Sequence, residues 1–156
     1  MVTPLSTLLK HATSNTILTI IDTKQYSITF FIIRGDTATT WTSIYASLNH
    51  TMHPTLWTYL TNLSYTITGP WMLIGDFNET IFLGDQRGGI FNQNRLNLFA
   101  NLMDNCNLLD LATIWGRFIW HHNQNGIRIL SNKIDRVLAN VDWRLSILEA
   151  SVAVLL

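Results

Sequence analysis

The chain carries little charge, one cysteine, three prolines and no long apolar run. Only 13% of its residues are Asp, Glu, Lys or Arg, about half the usual share. Ten basic and ten acidic side chains cancel to a formal net charge of zero. With no strongly basic stripe, charge alone gives no argument for nucleic-acid binding. A weak tilt remains. Residues 1–86 hold three basic side chains against five acidic ones, and residues 87–156 hold seven against five. A single Cys106 excludes an internal disulfide and suits a reducing compartment. No basic segment followed by a continuous apolar core opens the sequence, so no signal peptide is read. An intracellular setting, nuclear or cytoplasmic, is expected. The stretches 28–33 and 152–156 are too short to span a bilayer. Gly88-Gly89 lacks a following Lys-Ser/Thr, which excludes a phosphate-binding P-loop.

What is present is apolar. The sequence is 47% hydrophobic with six tryptophans, and 156 residues suffice for one domain with a core. Three segments rich in Ile, Thr, Phe and Tyr, near 16–21, 26–33 and 38–46, predict a β-meander. Turns are expected at 22–25 and 34–36. Pro54 predicts a helix start, and Leu56, Tyr59, Leu60 and Leu63 recur at helical spacing. Gly69-Pro70 ends that helix, and a strand follows over 71–75. Residues 78–91 read as a loop. A second helix spans about 93–105, with Leu96, Phe99, Ala100 and Met103 on one stripe. Asn125-Gly126 predicts a hairpin between 118–122 and 127–130. Another strand is expected over 133–139, a short helix near 141–147 and a last strand near 150–155. The whole reads as α/β.

The run Trp71-Met-Leu-Ile-Gly-Asp-Phe-Asn78 is the most informative part of the sequence. An apolar strand ends abruptly in two short polar residues, at the kind of strand mouth where α/β proteins place chemistry. If strand geometry persists, Asp76 and Asn78 share one face and Phe77 points into the core. Read by themselves, Asp76 and Asn78 also suit a plain strand-terminating turn. His121-His122 are adjacent on a predicted strand and point to opposite faces, which argues against a shared metal. Trp115, Phe118 and Trp120 read as core, and Cys106 reads as a small buried residue.

Four motifs in order now resemble one family. They are Pro70-Trp-Met-Leu-Ile-Gly-Asp-Phe-Asn-Glu-Thr80, Gln86-Arg-Gly-Gly89, Gly116-Arg-Phe-Ile-Trp120 and Lys133-Ile-Asp-Arg-Val-Leu138. Together with Thr42-Ser-Ile-Tyr-Ala-Ser47, they are similar to the endonuclease/exonuclease/phosphatase superfamily. More narrowly, they resemble the endonuclease domain of plant LINE-type (non-LTR) retrotransposons. The resemblance covers roughly residues 16–155. It implies a four-layer, DNase-I-like β-sandwich flanked by helices, and Mg²⁺-dependent hydrolysis of a DNA phosphodiester. It implies that Asp76 orients or deprotonates the attacking water and that Asn78 hydrogen-bonds the scissile phosphate or fixes the nucleophile. By the same resemblance Tyr45 places a phenol near the phosphate, and Asp135 orients a catalytic histidine.

The family pattern also has an Asn strand and a metal-binding Glu before the Tyr motif, and a closing Ser-Asp-His. Neither is found in this sequence. The acids before Tyr45 are Asp22 and Asp36, outside any matching motif. Without the Glu, Mg²⁺ binding is expected to be poor. The expectation is therefore a partial domain over 1–156, missing strands at both ends. It would be a fragment of a DNA endonuclease with impaired catalysis. The alternative is a non-catalytic remnant with at most weak nucleic-acid or protein binding. Exposed sheet edges predict self-association or aggregation.

Overall fold

The computed structural model describes residues 16–81, 86–87, 91–111, 120–124, 127–132 and 134–146. The predicted meander forms as β1 (Thr16–Lys24), β2 (Ser27–Arg34) and β3 (Thr37–Tyr45), all antiparallel. The first turn is shorter than expected. β1 runs through Asp22–Lys24, with a register shift between Ile20 and Asp22, and only Gln25 and Tyr26 make the turn. The second turn is also two residues, with Gly35 at φ +58°, the conformation that tight hairpins assign to glycine.

A 3₁₀ turn at His50–Met52 leads into helix α1 (His53–Ser64), with Pro54 in its first turn. Strand β4 (Trp71–Asp76) then pairs parallel to β3. Parallel neighbours need a crossover, and α1 supplies it. Helix α2 spans Gln93–Asn105, and the Asn92 side chain caps it by accepting from the Arg95 amide at 3.1 Å. Strands β6 (Leu108–Asp110) and β9 (Asp135–Asn140) complete a six-stranded mixed sheet in the order β1-β2-β3-β4-β9-β6. Helix α3 (Val141–Ser146) follows. The segment read as one loop after Asn78 contains β5 (Gln86–Arg87). It pairs with β8 (Ile127–Asn132), and β7 (Trp120–Gln124) pairs with β8 in turn. The predicted last strand, Asn125-Gly126, Trp115 and Phe118 lie outside the described residues.

The faces of β4 sort the core. Trp71, Leu73 and Phe77 pack with Leu56, Trp57 and Leu60 of α1 and with Phe99 and Leu102 of α2. Trp57 stacks on Phe99 at 4.9 Å, and Phe77 lies 5.5 Å from Phe99. On the opposite face Met72 packs with Val137, Ala139, Leu111 and Trp143. The indole N–H of buried Trp71 donates to Thr42 Oγ1 at 2.9 Å, and Thr42 meets Thr29 at 3.1 Å. Those hydroxyls satisfy a polar group that would otherwise be costly to bury. Among the described residues, no helix is long and apolar enough to cross a membrane.

Candidate active site

The carboxyl ends of β3 and β4 and the start of β9 meet at one end of the sheet. Tyr45 is in register with Asp76, and Asp76 with Asp135, so three sequence-predicted site residues form one row across three adjacent strands. Directly opposed residues of an antiparallel pair have Cβ atoms about 4.5–5.5 Å apart on the same face. Two carboxylates therefore stand side by side. Burial raises both carboxyls above their ordinary range, and the Asp76 charge raises Asp135 further. For Asp76 the Asn78 amide and the charge of His53 oppose that rise. Tyr45 is 56% exposed at the end of the row.

Gly75, within β4, lets that strand pass close against β3. It has φ +142°, and a Cβ there would sit 2.0 Å from the Ile44 carbonyl oxygen. The strand ends at Asp76, and this changes the fate of Asn78. Phe77 is fully buried in the core as expected. Asn78 does not continue the alternation. It adopts φ +47°, is only 7% exposed, and donates its side-chain amide to the Ala46 carbonyl at 2.7 Å. Its backbone N–H donates to Asp76 Oδ1 at 2.8 Å, closing a local turn that short polar side chains favour. The amide expected to face a phosphate thus braces the Tyr45 loop against the Asp76 loop. Asp135 lies beside Asp76, and Arg136 pairs instead with Asp110 at 2.9 Å.

Glu79, next in sequence, was given no role by sequence reasoning. It is 3% exposed, and both its oxygens are engaged. Arg95 donates from Nε to Oε2 at 3.0 Å and from Nη2 to Oε1 at 2.9 Å, a two-point grip. His53 Nδ1 lies 3.2 Å from Oε2, and His53 Nε2 lies 2.8 Å from the Ser47 carbonyl. Burial drives the Glu79 carboxyl up. The His53 and Arg95 contacts outweigh it and leave the carboxyl below its ordinary range. His50, His53 and Glu79 bring their ligand atoms within 4.8 Å of one another. That spacing suits a metal, but the Arg95 guanidinium already occupies both Glu79 oxygens. No sequence signal marks this cluster. An acid after Gly-Asp-Phe-Asn and a His before Pro54 are unremarkable apart, and only the fold joins them.

No family model matches the chain, and no curated protein matches it. Solved structures do. The chain is similar to the endonuclease domain of TRAS1, a telomere-specific non-LTR retrotransposon. The identity is 12% and the TM-score 0.68, over 83% of this chain and 58% of that one. It is similar to the 3′ phosphatase NExo from Neisseria, solved with a product DNA hairpin, at 15% identity and a TM-score of 0.50. That match covers 82% of this chain and 58% of the other. An endonuclease/exonuclease/phosphatase family protein from Leptotrichia buccalis matches at 13% identity and a TM-score of 0.50, over 85% of this chain and 52% of that one. The chain thus spans 52–58% of the length of these proteins. Identities this low carry the fold and nothing finer. The chain has the fold of the endonuclease/exonuclease/phosphatase proteins.

Proposed function

We propose that the chain carries part of the active site of a metal-dependent, phosphodiester-cleaving DNA endonuclease, and that it is catalytically impaired. We further propose a retrotransposon origin of the plant LINE type, which the motif spellings resemble. The observation that carries the reading is the row Tyr45–Asp76–Asp135 at the strand mouths. In this reading Asp76, at the mouth of β4, orients the attacking water. Tyr45 offers its phenol to the charge developing on the phosphate. Asn78 donates one side-chain N–H to Ala46 and its backbone N–H to Asp76, and so holds Asp76 in place.

Asp76 and Asp135 are hard oxygen donors, adjacent and partly desolvated, and that donor set fits Mg²⁺. When bound, Mg²⁺ supplies charge neutralisation at the phosphoryl oxygens and an activated water. Impairment rests on the remaining side chains. Asp22 is engaged by the Tyr59 hydroxyl at 2.7 Å and by Lys24 at 3.4 Å, and Asp36 occupies a hairpin turn. Neither stands in the Asp76 row. DNA is the substrate class this reading implies.

The test is Mg²⁺-dependent nicking of supercoiled plasmid by the purified chain. Slow nicking that Asp76→Ala abolishes is the expected result. Nicking at rates usual for nucleases would contradict impairment, and nicking indifferent to Asp76→Ala would contradict the site.

A further inference from the structure

We infer that buried Glu79 and His53, with half-buried Arg95, form a positioning cluster that locks the Tyr45 loop and the Asp76 loop together. The inference rests on the reading of Tyr45 and Asp76 as site residues, but its geometry is independent of any activity. The three side chains come from three different segments. Glu79 follows the Asp76 turn, His53 opens α1, and Arg95 lies in the first turn of α2. Arg95 grips Glu79 at two points, and His53 bridges from Glu79 to the Ser47 carbonyl, two residues beyond Tyr45. Both oxygens facing the His53 ring, Glu79 Oε2 and the Ser47 carbonyl, are acceptors. The Asn78–Ala46 bond runs between the same two loops. With the Ala46 amide bonded to the Asp76 carbonyl, three bridges join the two loops and restrict sliding in a way that one does not.

Such a cluster does more than add stability. Removing the Glu79 charge leaves one acceptor oxygen where Arg95 and His53 shared two, and the two loops lose part of their common anchor. The effect should be local. The reporters are the Ala46 amide, bonded to the Asp76 carbonyl at 2.8 Å, and the Asn78 amide, bonded to Asp76 Oδ1 at 2.8 Å.

The test is amide hydrogen exchange on the full chain, comparing wild type with Glu79→Gln and Arg95→Lys. Glu79→Gln keeps the shape and removes the charge. Arg95→Lys keeps the charge and removes the fork, which guards against a variant that fails to fold. The inference predicts that exchange at Ala46 and Asn78 rises about tenfold in both variants while the β2–β3 ladder stays within about twofold. A uniform rise across all strands would show a merely structural role and overturn it. Unchanged exchange at Ala46 and Asn78 would also overturn it. So would Zn²⁺ raising the Tm of wild type but not of His50→Ala, since the cluster would then be a metal site. Loss of plasmid nicking is not among these readouts, so failure of the nuclease reading leaves this outcome separately visible.

Discussion

At the residue scale, the corner after β4 depends on one glycine and two facing acids. Gly75 passes so close to the Ile44 carbonyl that any Cβ collides with backbone, which cannot move aside. Gly75→Ala is expected to cost on the order of 3 kcal/mol or more, or to prevent folding, as chemical denaturation will show. The acids behave in the opposite way. Asp135 has a raised carboxyl, so its ionised form is disfavoured by the fold. The native state then holds its proton more tightly than the unfolded chain, and stability falls as pH rises through the carboxylate range. Asp135→Asn is therefore expected to stabilise at neutral pH by about 0.5–1 kcal/mol, with the gain vanishing below about pH 4. Equal or lower stability at pH 7, measured by urea melts, would contradict the facing-acid geometry. Tyr45, Asp76, Asn78 and Asp135 were all legible as candidates because they sit in recognisable motifs. The direction of the Asn78 side chain was not, because strand alternation predicts it only while the strand lasts. Glu79, His53 and Arg95 were invisible because their contacts span 16 and 26 residues of sequence.

At the element scale, α1, α2 and β4 meet in an aromatic cluster of Trp57, Phe77 and Phe99. Phe99 is fully buried and also lies under the Arg136 guanidinium at 6.0 Å. Phe99→Ala is expected to cost about 3–5 kcal/mol and to loosen both helices together, readable in thermal melts. The elements themselves were largely visible in sequence. Helix α2 has the predicted bounds, and β4 extends the predicted strand by one residue. The failures have physical causes. Asp22–Lys24 look like turn residues, yet pairing with β2 and the Tyr59 hydroxyl hold them in strand. Gln86–Arg87 carry no apolar pattern, and only their partner β8 makes them a strand.

At the scale of the whole molecule, β1 is the weak point. Among the described residues it forms one edge of the six-stranded sheet, and Ile17, Ile20 and Ile21 are each more than half exposed. An apolar strand with unpaired backbone is a template for another chain. Ile17→Lys combined with Ile20→Lys is expected to raise the monomer fraction in light scattering, with far-ultraviolet circular dichroism unchanged. No change in the monomer fraction would place any self-association elsewhere.

The central proposal is that a divalent cation binds at the strand mouths, on Asp76 and Asp135, and not at the Glu79 cluster. Paramagnetic broadening of amide resonances by Mn²⁺ tests it directly. The account predicts selective broadening around Tyr45, Asp76 and Asp135 that disappears in Asp76→Asn. Broadening centred on His50, His53 and Glu79, or none at any residue of the row, would contradict it.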